Sequence, residues 1–132
     1  MTPVVSHLFV YGTLRPGDVR WPLLQSFVVD EGWPDTIEGR LFDTGLDYPA
    51  AVLDHRAEPG GTIIGQTYAL LAESLGDCLG LLDAEEGTVA GCYRRVVVTT
   101  ARGVNAYVYE YGGGLELVPI HGGDWFDWVR GR

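Results

Sequence analysis

The chain contains no lysine: all nine of its basic residues are arginine. That excludes lysine Schiff bases, lysine nucleophiles and phosphate loops ending in Gly-Lys-Ser/Thr. Cysteine is scarce as well. Cys78 and Cys92 form no CxxC pair and are too few for a disulfide framework, which points to a reduced, cytoplasmic setting. No apolar run approaches the roughly 20 residues needed to cross a bilayer, so no membrane partner is expected. The opening residues, MTPVVSHLFV, lack the basic segment and long apolar stretch of a secretory signal. Positive charge is in short supply: 9 basic residues against 18 acidic give a net charge of -9. Nucleic acid is therefore not an expected partner, because binding it needs a cationic stripe that releases counterions. His7, His55 and His121 are widely spaced and form no HExxH, so no metal or other cofactor is expected. There is no GxSxG, which disfavours acyl-enzyme hydrolysis.

What is present is one domain's worth of chain, residues 1–132, with 46% hydrophobic and 20% charged residues, as in an ordinary globular protein. The 19 glycines and 7 prolines are scattered, which predicts many tight turns rather than a linker. Residues 4–14 (VVSHLFVYGTL) read as a first strand that ends in a Gly-Thr turn. Residues 36–43 and 62–71 read as two more strands, each with one interior glycine. Residues 93–100 and 104–111 read as a pair joined by a turn at Arg102-Gly103. One helix is predicted over 74–86, with Ser74 as N-cap and Gly87 as its stop. A short helical turn capped by Asp124 is predicted over 124–130, with Trp125 and Trp128 plugging the core. Many strands with one central helix predict an α+β fold whose sheet is curled or closed.

The central helix carries the first candidate for chemistry. Leu75, Cys78, Leu79 and Leu82 form one apolar stripe, and Glu86, four residues beyond Leu82, continues it. Glu73 and Asp77 fall on the opposite side, while Asp83 and Glu85 flank the stripe. Three acids thus crowd the last predicted turn, with no basic residue between Arg56 and Arg94 to offset them. Burial, like charges and the negative end of the helix dipole each favour the protonated form of a carboxylate so placed, which suits general acid-base work. The other reading, that the helix frays and Glu86 reaches water, stays open at this point.

The second candidate is YGTLRPG, residues 11–17, where a strand ends at Tyr11 and Gly12-Thr13 turns the chain. Such a turn can aim backbone N–H groups into a concave site and hold a carboxylate without lysine; Arg15 can add a bidentate clamp. Tyr93 follows the helix and can orient Glu86 or a ligand. Tyr107, Tyr109 and Tyr111 share one strand face by period two, and Tyr109 is the one picked as pocket-lining.

Together these pieces resemble the γ-glutamylcyclotransferase-like family, which includes γ-glutamylamine cyclotransferases, a butirosin-pathway deprotecting enzyme and plant avirulence-induced proteins. The matching segments are FVYGTLRPG (9–17), YPAAV (48–52), GQTYAL (65–70), LDAEEG (82–87), YRR (93–95), AYVYEY (106–111) and GGDW (122–125), in the family's order and over nearly the whole chain. The resemblance implies a curled or closed mixed β-barrel with a few packed helices. It implies a pocket at one barrel end where the Tyr11-Gly12-Thr13-Leu14 amides hold a substrate α-carboxylate. It also implies a single acid-base glutamate at the fifth position of LDxxE, which is Glu86, with neighbouring Glu85 the lesser candidate. The implied reaction converts a γ-glutamyl amide, a small-molecule partner, to 5-oxoproline and a free amine or amino acid. Two other readings remain: a small-ligand-binding or interaction domain on the same fold, and a cofactor-free hydrolase in which Glu86 activates water. The four tryptophans and the apolar terminal turn permit a homodimer without requiring one.

Overall fold

Eight strands and three α-helices form in the computed structural model, which describes residues 5–12, 21–45, 49–53, 61–89, 93–111 and 118–131, with the backbone alone for 85–89. Five strands make one mixed sheet. In spatial order they are β2 (Trp33–Glu38), β5 (Thr62–Ala69), β1 (His7–Val10), β7 (Asn105–Tyr111) and β6 (Tyr93–Thr99). β1 runs antiparallel to β5 but parallel to β7, so the carboxyl ends of β1 and β7 lie at the same end of the sheet. A second sheet holds β4 (Pro49–Val52), β3 (Arg40–Asp43) and β8 (Val118–Ile120), with β3 antiparallel to both neighbours.

Strand alternation sorts the core into two halves. Leu8, Val10, Tyr68, Leu70 and Tyr109 face one way, packed against Leu24 of α1 (Trp21–Gln25) and against Cys78, Leu79 and Leu82 of α2 (Leu75–Val89). Phe9, Tyr11, Ile37, Ile63, Ala106 and Val108 face the other way, packed against Leu41, Ala51 and Ile120 of the second sheet and Trp125 of α3 (Trp125–Gly131). The molecule is therefore helices on a five-stranded sheet on a three-stranded sheet, with two buried seams.

This is the expected α+β fold with a curled sheet, but the sheet does not close into a barrel. The reason lies partly at Gly39. Residues 36–43 were expected to be one strand; the chain instead breaks between β2 and β3 and changes sheets at Gly39, whose φ is 151°. A Cβ there would stand 2.7 Å from Leu53 Cδ2 and 3.1 Å from the Val52 carbonyl oxygen, so only glycine fits this corner. The first strand is also shorter than residues 4–14, spanning His7–Val10. α2 begins at Leu75, directly after Ser74, and a 3-10 turn (Ala72–Ser74) leads into it. It does not stop at Gly87, since α2 runs through it to Val89. The β6–β7 turn forms as expected, with Thr100 N–H donating to the Val104 carbonyl and Gly103 N–H to that of Thr100, both at 2.9 Å. Asp124 does cap α3: its Oδ1 accepts from Phe126 N–H at 3.1 Å. Trp125 is buried and Trp128 packs beside it, its indole N–H donating to Asp43 Oδ2 at 2.7 Å. Short α1, β4 and β8 were not anticipated; each is too brief to show a period. Among the described residues no helix is long and apolar enough to cross a membrane.

Candidate active site

The carboxyl ends of β1 and β7, the start of β6, the start of β4 and the last turns of α2 are tied together by a small set of side chains. Tyr11, one residue past β1, is buried. Its hydroxyl donates to the Tyr109 carbonyl of β7 at 2.6 Å, a contact that parallel pairing of the two strands brings within reach. Gly12 comes next and touches β4. A Cβ on Gly12 would lie 2.7 Å from Pro49 Cγ and 2.9 Å from Pro49 Cδ, so the bend needs a residue without a side chain. Pro49 is itself held, because its carbonyl accepts a short hydrogen bond from the Tyr93 hydroxyl. Thr13, Leu14 and Arg15 lie outside the described residues.

On the helix side of the sheet, β6–β7 pairing sets Tyr93 opposite Tyr111, Arg95 opposite Tyr109 and Val97 opposite Tyr107. The Tyr93 and Tyr111 rings meet edge-on, 5.5 Å apart, a favoured aromatic geometry. Arg95 and Tyr109, as cross-strand neighbours, converge on one oxygen of α2. Asp83 Oδ1 accepts from the Tyr109 hydroxyl at 2.7 Å and pairs with Arg95 Nε at 3.2 Å. The Arg95 guanidinium also lies 4.8 Å from the centre of the Tyr107 ring, in cation–π range. Tyr109 is thus committed at both ends, its carbonyl to Tyr11 and its hydroxyl to Asp83, and is only 4% exposed.

The apolar stripe of α2 forms as its spacing predicts: Cys78, Leu79 and Leu82 are buried, while Glu73 and Asp77 are exposed. Glu86 belongs to α2, four residues beyond fully buried Leu82. The side chains of Glu85 and Glu86 are not among those described. The expectation that the acids near the helix end have no counter-charge is corrected for Asp83. Arg95 comes to it from β6 through the sheet, a partner that linear spacing cannot show.

Three residues that sequence reasoning passed over complete the frame: Pro49, Asp83 and Glu110. Glu110 is buried on the face toward the second sheet. Its Oε1 accepts from Arg94 Nε at 3.0 Å and Nη2 at 2.8 Å, and its Oε2 accepts the Leu53 N–H at 3.1 Å. β4 is therefore fastened at both ends, by Tyr93 at Pro49 and by Glu110 just past Val52. Alternation along β6 was the available signal for Arg95, since it shares a face with Tyr93. A bond to a backbone carbonyl, as at Pro49, leaves no trace in side-chain identity. Among the described residues no cluster of three or more His, Cys, Asp or Glu is placed to hold a metal ion.

Residues 8–127 match the family model described as "Gamma-glutamyl cyclotransferase, AIG2-like". The chain belongs to this family. It is 33% identical over 98 residues, 73% of this chain and 86% of the relative, to a protein of Halalkalibacterium halodurans provisionally named a gamma-glutamylcyclotransferase. Among solved structures it is similar to an uncharacterized protein of Pyrococcus horikoshii, with 28% identity, a TM-score of 0.65, and coverage of 96% of this chain and 93% of that one. It also shares its fold with an AIG2-like protein of Mus musculus, at 20% identity and a TM-score of 0.56, covering 80% of this chain and 76% of the mouse chain.

Proposed function

We propose that the protein is a γ-glutamylcyclotransferase in which Glu86 is the general acid and base. A γ-glutamyl amide carries its own nucleophile. Its α-amine attacks the γ-carbonyl carbon, forming the C–N bond of a five-membered ring, and the original amide C–N bond breaks. The products are 5-oxoproline and a free amine or amino acid. The α-ammonium, with a pKa of about 8, must first lose a proton. Glu86 takes it and relays it to the leaving nitrogen, and the second proton, which the ring nitrogen sheds on becoming the lactam N–H, follows the same route, so the amine leaves as an ammonium ion and the count closes without a protein nucleophile. The backbone amides of the Tyr11–Leu14 bend hold the α-carboxylate, with Arg15 as a second anion contact and Tyr93 beside the reacting end. Holding the chain curled removes much of the entropic barrier, which is worth several kcal/mol in well-oriented cases.

One observation supports this reading above the rest. The hydrogen bonds Tyr11–Tyr109–Asp83 join the bend at the end of β1 to the α2 turn that precedes Glu86. On this reading an anion-holding loop after β1 and an acid-base carboxylate on α2 belong to one site. Family membership supports the same chemistry.

The test is product analysis on a panel of γ-glutamyl amino acids and γ-glutamyl amines. Release of 5-oxoproline from at least one member is expected. Glu86→Gln should lower kcat by about 100-fold or more with an unchanged circular dichroism spectrum. Release of glutamate would mean hydrolysis instead, and retained activity in Glu86→Gln would remove Glu86 from the role.

A further inference from the structure

We propose that Asp83 is a positioning residue: with Tyr109 it fixes the rotation of α2 about its axis in the turns that lead to Glu86. The proposal rests on Glu86 being the acid–base group of the cyclisation. Asp83 lies one turn before Glu86, about 4.5 Å along the helix axis. A carboxylate at a surface position, its side chain 43% exposed, ordinarily has water for company. This one accepts a 2.7 Å hydrogen bond from the hydroxyl of Tyr109, a core residue. It also pairs with Arg95, which is braced on the Tyr107 ring. Both partners come from adjacent positions of a cross-strand pair, so the helix is referenced to the sheet at a single oxygen, Oδ1.

That reference matters because it is directional, tying a polar group of α2 to two strand residues. Apolar contacts at Leu79 and Leu82 press α2 onto the sheet, yet such contacts are non-directional and tolerate rotation and sliding. A directional hydrogen bond fixes rotation about the helix axis, and rotation is what aims the side chain one turn further on. The far end of the same tyrosine, its carbonyl, is gripped by Tyr11 beside the bend. Tyr109 thus gauges the separation of helix and bend, with its hydroxyl engaged by the protein rather than by substrate. A misplacement of an ångström in a catalytic group costs on the order of 100-fold in rate, so modest slack in this link is visible in kcat.

Four variants test the role: Asp83→Asn, Asp83→Ala, Tyr109→Phe and the double variant Asp83→Ala/Tyr109→Phe. Asparagine keeps an acceptor for the Tyr109 hydroxyl and loses only the charge toward Arg95. Asp83→Asn should retain kcat within about threefold, whereas Asp83→Ala and Tyr109→Phe should each lose about 10- to 100-fold in kcat with KM changed by less than about twofold. The double variant should be no worse than the poorer single one, because both remove the same bond. Hydrogen exchange supplies a readout free of turnover: amides of residues 84–89 should exchange faster in Asp83→Ala and Tyr109→Phe, with those of 76–80 unchanged. Full kcat in folded Asp83→Ala, additive losses, or a loss confined to KM would overturn the proposal. Should Asp83→Ala fail to fold, Tyr109→Phe and Asp83→Asn carry the test. If the wild type makes no 5-oxoproline, the cyclisation reading fails on its own account, while the exchange experiment still reports whether Asp83 fixes the end of α2.

Discussion

A single methyl group is enough to probe the bend at Gly12. Alanine there would drive its Cβ to 2.7 Å from Pro49 Cγ, and Pro49 cannot retreat without breaking its contact with the Tyr93 hydroxyl. Overpacking of this kind costs about 1–3 kcal/mol. We expect Gly12→Ala to lower the unfolding free energy by that order and, if the bend holds the substrate carboxylate as proposed, kcat/KM by considerably more. Denaturant unfolding alongside steady-state kinetics measures both; an unchanged kcat/KM would take Gly12 out of the binding site. Cys78, in contrast, is a buried free thiol. Burial beneath α2 pushes its thiol up to about 11, so it stays protonated and unreactive at neutral pH. Iodoacetamide should leave it unmodified in the native protein and label it in denaturant, as peptide mass mapping will read. Native-state labelling would mean that α2 opens locally.

At the scale of elements, α2 and the β6–β7 pair show how far pattern reading reaches. The apolar stripe of α2 was visible because period 3.6 places Cys78, Leu79 and Leu82 together, and each is buried. The shared face of Tyr107, Tyr109 and Tyr111 was visible because period two is equally strict. The ends of elements were not. A glycine is only a preference for termination, and α2 passes through Gly87 without stopping. An apparently continuous strand over 36–43 conceals a corner at Gly39, because alternation in side chains does not report a change of sheet. The partners of Asp83 were equally hidden: which residues face a helix across a sheet depends on register, here Arg95 opposite Tyr109.

Across the whole molecule, one buried carboxylate couples stability to pH. Asp35 of β2 sits between β5 and the β6–β7 turn. It accepts from Thr36 N–H at 2.9 Å, Thr67 Oγ1 at 3.0 Å, Trp33 Nε1 at 3.2 Å and Arg102 N–H at 3.3 Å. Burial alone would raise its pKa, but hydrogen bonds from Thr100, Thr36, Thr67 and Trp33 outweigh it and hold the carboxyl below the ordinary aspartate value of 3.8. The pKa is thus lower folded than unfolded, so the ionised form stabilises the fold. That stability is fully present above the unfolded value and is lost as pH falls through the folded one. We expect Asp35→Asn to be less stable than wild type by about 1–3 kcal/mol at pH 7, with the gap narrowing below about pH 4. Denaturant titrations at pH 7, 5 and 3 measure it; a gap independent of pH would show that the charge of Asp35 does not matter.

Composition and local pattern determined that this chain forms an α+β domain with many turns, that its central helix buries the stripe of Cys78, Leu79 and Leu82, and that a glycine bend follows the first strand. Those properties belong to neighbours in the chain, and short-range periodicity encodes them. The two-sheet layering, the corner at Gly39, the Tyr11–Tyr109–Asp83 chain and the arrival of Arg95 beside Asp83 were decided only in three dimensions. The Tyr11–Tyr109 bond depends on parallel pairing of β1 with β7, and the meeting of Arg95 and Tyr109 on the register of β6 against β7. Residues 83, 95 and 109 are distant in sequence, and only the packing of α2 across that register gives them a common oxygen.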